Sequence, residues 1–245
     1  MSEAVAARTN LLGLEKPELE AFVGALGNKP FRARQLMSWL YKRAEGDFAA
    51  MTDLARDFRA QLNDVAEVRT PEIVSRHDSA DGTRKWLLRA DSAQAFEMVF
   101  IPEVDRGTLC ISSQVGCALD CAFCSTAQQG FNRNLSTAEI VGQVWLANRE
   151  LAGDAKVFQS GRSVTNVVLM GMGEPLYNFD NVAAALKIIM ADDGIAVGKR
   201  RITLSTSGVV PEIHRCGEEL GVNLAISLHA PDDDTRSVIM PINRS

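Results

Sequence analysis

From Leu19 to Leu62 the apolar residues recur at three- and four-residue steps, the period of a helix buried on one side. Leu19, Phe22, Val23 and Leu26 form a first stripe behind Lys16-Pro17, where proline suits the opening helical turn. Gly27-Asn28-Lys29-Pro30 interrupts it. Leu36, Met37, Leu40 and Tyr41 form a second stripe within Ala33 to Arg43. Leu54, Phe58 and Leu62 form a third, with Thr52-Asp53 as its expected cap. Residues 1–64 therefore predict a small N-terminal domain of short helices.

From Val65 the pattern changes to strands. Ile73-Val74, Trp86-Leu87-Leu88 and Phe96 to Ile101 are strand-like, and Asp81-Gly82 between the first two signals a hairpin. Residues 65–103 thus read as a β-rich linker built on a β-hairpin. Glu97 is an acid inside an apolar strand, where the ordinary role is an outward-facing, solvated carboxylate. Beyond the linker, strands and helices alternate. The strands are Gly107 to Ser112, Val164 to Met170, Arg201 to Ser205 and Val222 to Leu228. Ser136-Thr137-Ala138-Glu139 is a capping box that opens a helix carrying Ile140, Val141, Val144 and Trp145. Asp180 is placed to cap the next, and Val209 to Leu220 forms another. This alternation predicts an α/β fold with βαβ units and a parallel sheet over residues 104–245.

In such folds ligands gather at the carboxyl ends of strands. Four polar or glycine-bearing loops stand there: Cys117 to Cys124, Gly171 to Pro175, Ser205 to Ser207, and Ser227 to His229. Gly171-Met172-Gly173 is followed by Glu174-Pro175, so it is not a dinucleotide-binding G-x-G-x-x-G, and no phosphate-binding GxxxxGK[ST] occurs.

Composition narrows the classes. The 245 residues are 46% hydrophobic and 23% charged, ordinary for a globular protein with a sizeable core. Met1 to Glu20 lacks the apolar run of a signal peptide, and no run is long enough to span a bilayer. Five cysteines, three of them in one loop, do not resemble a secreted disulfide framework; the cytoplasm is the expected compartment. The net charge of −5 is not that of a protein coated in nucleic acid. Yet Gly27 to Ala44 holds Lys29, Arg32, Arg34, Lys42 and Arg43 with no acid, interleaved with Phe31, Trp39 and Tyr41. That stretch either meets phosphates and stacks bases, or is a solvated helix face with its aromatics turned inward.

The densest chemistry lies in Cys117, Cys121 and Cys124, spaced C-x3-C-x2-C. Thiolates suit iron–sulfur clusters, zinc and Cu(I), but a structural zinc site wants four ligands and no fourth lies nearby. The alternatives are a zinc site short of a ligand or three buried cysteines. A four-iron cluster on three thiolates keeps one iron open to a ligand that chelates through amine and carboxylate. Glu174 can accept hydrogen bonds from such an amine, Ser205 and Ser227 can bind a ribose, and His229 can meet the ligand. Taken singly, the serines equally suit local backbone capping and His229 a structural role.

These residues carry a resemblance. The C-x3-C-x2-C loop after the first strand and Gly173-Glu174-Pro175 resemble the radical S-adenosylmethionine superfamily. Gln114 to Ala127, Gly130-Phe131, Gly171 to Leu176 and Ser227-Leu228-His229-Ala230 are similar to its RlmN/Cfr family of RNA adenine methyltransferases, from about Leu11 onward. The resemblance implies a partial (β/α)6 barrel with about four units present. It implies a [4Fe–4S] cluster on Cys117, Cys121 and Cys124, and S-adenosylmethionine lined by Gly173, Glu174, Ser205, Ser227, Leu228 and His229. The implied reaction methylates C2 of adenine 2503 in 23S rRNA and of adenine 37 in tRNAs. One S-adenosylmethionine methylates a protein cysteine, and a second is cleaved to a radical that activates that methyl group. Cys110 is implied as the resolving cysteine that forms a transient disulfide, and Glu97 as the proton acceptor. By residue type alone Cys110 reads as a small buried strand residue. The N-terminal domain is implied to bind RNA, and a reductase or flavodoxin-type protein to supply electrons; a monomer without membrane contact is expected.

The family's methyl-carrying cysteine has no counterpart here. Cys216 falls in a helix beside Gly217 and reads as structural. The chain is thus expected to be part of a longer protein, and inactive by itself. The competing readings are methylation at C8 of adenine, as in the Cfr branch, and a non-catalytic iron–sulfur or zinc module that binds RNA.

Overall fold

The helical stripes of the N-terminal domain close on one another in the computed structural model, which describes residues 8–91, 93–153, 158 and 161–244. The outermost seven residues of that expected domain, and Ser245, lie outside them. Strand β1 (Thr9–Asn10) leads into helix α1 (Lys16–Ala25), whose first turn holds Pro17 and a Glu15–Glu18 capping box. Helix α2 (Phe31–Met37) continues as a widened π turn over Ser38–Lys42. That turn carries Trp39, Leu40 and Tyr41 into the core. Burial of Trp39 and Tyr41 removes them as base-stacking surfaces; of the three aromatics only Phe31 is exposed. Helix α3 (Arg56–Val65) starts later than the sequence suggests and is not capped by Thr52 or Asp53. Asp53 instead accepts a hydrogen bond from the Trp39 indole, tying α2 to the segment before α3. Strand β2 (Ala66–Glu67) then pairs with β1 in parallel.

Strands β3 (Glu72–Asp78), β4 (Arg84–Arg89) and β5 (Ala95–Pro102) form an antiparallel meander whose first turn is the expected hairpin, with Gly82 at φ +85°. β5 pairs antiparallel with β6 (Gly107–Cys110), so the linker strands and the core share one sheet. Strands β7 (Gln114–Gly116) and β8 (Phe131–Asn134) form a separate small hairpin. Between them runs the cysteine loop with the one-turn helix α4 (Ser125–Gln128). Helix α5 (Thr137–Glu150), strand β9 (Asn166–Leu169), helix α6 (Phe179–Met190), strand β10 (Ile202–Thr206), helix α7 (Val210–Glu219), strand β11 (Asn223–Ile226) and helix α8 (Asp233–Ile239) complete the alternation.

The main sheet runs β11-β10-β9-β6-β5-β4-β3. β6, β9, β10 and β11 are parallel, as the alternating pattern predicted. One face of the meander buries Trp86, Leu88, Phe96, Met98 and Phe100. The burial is continuous with the helices and with the N-terminal domain, to which the Trp145 indole donates at the Leu40 carbonyl (2.6 Å).

The capping box forms at Ser136 and Glu139. Glu139 also accepts from Arg133 at 2.7 Å and from the Asp91 amide at 3.1 Å. Burial pushes its carboxyl upward, but the Arg133 guanidinium and the Ser136 and Asp91 amides together hold it below the usual carboxylate range. Asp180 lies inside the first turn of α6 and pairs with Arg215; it does not cap the helix. No helix of the described residues is long and apolar enough to cross a membrane.

Candidate functional site

The cysteine loop leaves and re-enters through the β7–β8 hairpin. Its base is closed by Cys117 N–H donating to the Gly130 carbonyl at 3.2 Å. Gly116 (φ +76°) permits that closure, since a Cβ there would stand 1.8 Å from the Gly130 oxygen. Leu119 and Cys121 turn inward against the buried Met240. The Ala122 amide donates to the Ile239 carbonyl at the end of α8 (3.0 Å). All three cysteines line one cavity of about 240 Å³, together with Gly173, Glu174, Ser227 and His229.

The described residues hold no group of three His, Cys, Asp or Glu side chains that meets on a single ion. An iron–sulfur cluster takes its thiolates on different irons, so it needs sulfurs spread around a cavity. Electrostatics point the same way. Burial, then the charges of Cys124 and Glu174, push the Cys117 thiol up. Burial, then Cys117, Cys124, Glu174 and Asp120, do the same for Cys121. A cationic occupant of the cavity would favour ionisation of these thiols and of Glu174. The donor set and cavity fit a cluster.

Gly173 and Glu174 follow β9. Gly173 has φ +98°, and a Cβ there would meet the Gln114 side chain at 2.5 Å. This close approach lets Gln114 Oε1 accept from the Glu174 amide (2.9 Å). The buried Glu174 carboxylate accepts from the Leu176 amide (3.1 Å) and the Ser207 amide (2.8 Å). Burial pushes its carboxyl up, against these hydrogen bonds. Glu174 thus faces the cavity already anchored between two strand-end loops.

Ser205 and Ser227 stand 3.4 Å apart, Oγ to Oγ. Both border a second cavity of about 300 Å³ that shares Gly173 and Glu174 with the first. His229 is exposed, has φ +59°, and packs its ring on Phe123 at 4.5 Å between centroids. Leu228 is largely exposed beside it. Arg236 of α8 fixes these loops, donating to the carbonyls of Ser207 (2.6 Å), Leu228 (3.1 Å) and Ser227 (3.3 Å).

Glu97 and Cys110 do not line the cysteine cavity. The register nevertheless puts them on the site's face of the sheet. Val99 lies opposite Cys110, Cys110 opposite Val168, Val168 opposite Thr203, so Glu97 and Ser205 project from that same face. Glu97 is paired with Lys85 at 2.6 Å and is partly exposed. Burial pushes the Cys110 thiol up, partly offset by a backbone hydrogen bond from Met170. All five cysteines are free, the expected transient disulfide partner of Cys110 is not among them, and Cys216 is buried within α7 as read from the sequence.

Sequence reasoning missed the residues that brace the site. Gln143 donates to the Ser112 carbonyl (2.9 Å) and accepts from its amide (2.8 Å). Ser112 Oγ in turn donates to the Glu97 carbonyl (2.6 Å) and accepts from the Met172 amide (2.9 Å). Asn178 donates to the Ser113 and Leu135 carbonyls, each at 2.8 Å. The available signal was polar residues inside apolar runs, such as Gln143 between Val141 and Val144.

Three thiols around a cavity, at the carboxyl end of a parallel sheet and beside a buried Gly-Glu-Pro carboxylate, define a radical S-adenosylmethionine core. The Radical SAM superfamily model matches residues 111–245. The Ribosomal RNA large subunit methyltransferase N-terminal domain matches residues 9–68. A radical SAM methyltransferase from Sphaerobacter thermophilus superposes with TM-score 0.88 at 41% identity, over 96% of this chain and 68% of its own. The dual-specificity RNA methyltransferase RlmN of Pseudomonas putida is 56% identical over 97% of the chain. That of Marinobacter nauticus is 52% identical over 98%. The chain belongs to the RlmN family of the radical SAM superfamily. It spans 62% of the length of the Pseudomonas putida relative and 64% of the Marinobacter nauticus one. Membership implies a [4Fe–4S] cluster and S-adenosylmethionine as cofactors.

Proposed function

We propose that this chain carries the cluster- and cofactor-binding core of an RNA methyltransferase. The product is 2-methyladenine, at adenine 2503 of 23S rRNA and adenine 37 of tRNAs. The observation that carries the reading is the joining of Cys117, Cys121, Cys124 and Glu174 on one cavity. It occurs in a chain 56% identical to a dual-specificity RNA methyltransferase.

Cys117, Cys121 and Cys124 hold the cluster. Gly173 and Glu174 receive the amine end of S-adenosylmethionine, Ser205 and Ser227 its ribose, and Leu228 and His229 flank it. When bound, these groups supply the radical chemistry that polar methyl transfer lacks at C2, a carbon that is not nucleophilic. Buried Glu174 and the paired serines orient the cofactor with little reorganisation, because Gln114 and Arg236 already fix their loops. Glu97 accepts the proton from the methylated base. Cys110 releases the product by forming a transient disulfide with a methyl-carrying cysteine that this chain does not supply. A reductase or flavodoxin-type donor provides electrons, and the N-terminal helical domain contacts RNA. The protein works as a cytoplasmic monomer.

The test uses the full-length protein, reconstituted anaerobically with iron and sulfide, then supplied with reductant, S-adenosylmethionine and RNA. Nucleoside mass spectrometry is expected to find 2-methyladenosine. Finding 8-methyladenosine overturns the C2 assignment in favour of the Cfr type. A colourless protein holding stoichiometric zinc, with no S-adenosylmethionine cleavage, overturns the enzymatic reading.

A further inference from the structure

The amino ends of the parallel strands, opposite the cysteine loop, hold a second charged feature. The turn Lys199–Arg201 precedes β10, and Arg162 lies shortly before β9. Arg162, Lys199, Arg200 and Arg201 line a cavity of about 550 Å³. A neighbouring cavity of about 840 Å³, between the N-terminal domain and the core, is lined by Lys42, Arg43, Arg149 and again Arg162. Seven bases thus border a groove of two adjoining cavities that share Arg162, against the two acids Glu45 and Asp192. Among the described residues, none of the seven forms an ion pair. Elsewhere Lys85, Arg106, Arg133 and Arg215 are each held by carboxylates.

The groove is shaped as well as charged. Arg162 donates to the Ile195 and Ala196 carbonyls, which fixes it where the cavities meet. Arg43 lies 3.8 Å over the Trp39 ring and Arg149 5.0 Å over the Trp145 ring. Stacked guanidiniums keep their edges free to donate in a plane, the geometry that matches phosphate oxygens. Trp39 and Trp145 are buried, so the groove offers no indole for base stacking. It suits a phosphodiester backbone. β10 separates this edge from the cofactor loops by its five residues, a rise of roughly 15 Å.

We propose that this groove binds the phosphate backbone of the substrate RNA at a point remote from the target adenine, an inference that rests on RNA being the substrate. Lys42 and Arg43, which the sequence grouped with the N-terminal basic patch, belong to this inter-domain groove.

Affinity and salt dependence of the full-length protein for two RNAs test it: a complete tRNA and a hairpin of about twelve nucleotides bearing the target adenine. For Lys199→Gln/Arg200→Gln, affinity for the complete tRNA is expected to fall about tenfold at ~0.1 M salt. The slope of log affinity against log salt should flatten by about 1.5, from ~0.7–0.9 for each lost phosphate contact. Affinity for the short hairpin, and S-adenosylmethionine binding without RNA, should stay at wild-type values. Lys199→Arg/Arg200→Lys should restore tRNA affinity. Unchanged tRNA affinity and slope overturn the groove while leaving the substrate reading intact. Equal loss for the hairpin also overturns it, since the effect would then not be remote. Failure of the wild-type protein to bind either RNA overturns both.

Discussion

The two edges of the parallel sheet are built on opposite principles. At the carboxyl edge, buried or half-buried side chains fasten loop to loop: Glu174 to Ser207, Gln114 to Glu174, Arg236 to Ser207 and Ser227. At the amino edge, Lys199, Arg200 and Arg201 are exposed and, among the described residues, have no carboxylate partner. Short directional bonds in low dielectric give fixed geometry, which chemistry needs. Diffuse charge in water gives attraction without geometry, and salt weakens it. One sheet therefore separates a salt-insensitive reaction site from a salt-sensitive docking surface. Raising ionic strength should lower RNA affinity far more than S-adenosylmethionine affinity.

Four substitutions sharpen this contrast. The largest effect is expected from Cys121→Ser: iron content after reconstitution falls to background and S-adenosylmethionine cleavage is lost, measured by iron assay and chromatography of 5′-deoxyadenosine. Glu139→Gln should remove the buried pair with Arg133 and destabilise the fold by about 2–3 kcal/mol at neutral pH, read by denaturant unfolding. Its pH dependence has a definite sign. A carboxyl held below its unfolded value contributes stability that is fully present above the ordinary carboxylate range and is lost as pH falls through the folded value. The difference between wild type and Glu139→Gln should therefore shrink on acidification; a gap that widens breaks the account. Arg236→Gln should loosen the serine loops and raise the S-adenosylmethionine dissociation constant about tenfold, on the order of 1.4 kcal/mol by calorimetry. Cys216→Ala is the smallest. It should cost about 1 kcal/mol of stability and leave iron and cofactor binding unchanged, because this cysteine packs in α7 away from both edges.

The helices and parallel strands were legible because burial on one side imposes a period, and the four strand-end loops followed from the alternation. The cysteine spacing exposed its chemistry because soft ligands close in sequence have few other uses. Errors arose where two environments produce the same letters. Thr52-Asp53 looks like a cap, yet Asp53 is taken by the Trp39 indole. Trp39 and Tyr41 lie among bases, yet the π turn rotates both inward. Lys42 and Arg43 looked continuous with Arg32, yet the same turn directs them to the core's groove. Gln143, Ser112 and Asn178 carried no signal of their kind. A brace between distant backbone groups has no sequence period, and its partners lie 15 to 65 residues away.

Helix α8 is only seven residues long, yet it holds both the cysteine loop and the serine loops. Its last carbonyl holds the cysteine loop at Ala122, the following Met240 is buried against Cys121, and Arg236 holds both serine loops. Iron loading and cofactor binding consequently share one mechanical element and should be thermodynamically linked. Each ligand that orders α8 spares the other part of that ordering free energy. By reciprocity, cluster assembly should tighten S-adenosylmethionine binding by the same factor that bound S-adenosylmethionine stabilises the cluster. Hydrogen exchange at Ala122 and Ser227, on opposite sides of the helix's reach, should slow together whichever ligand is added first.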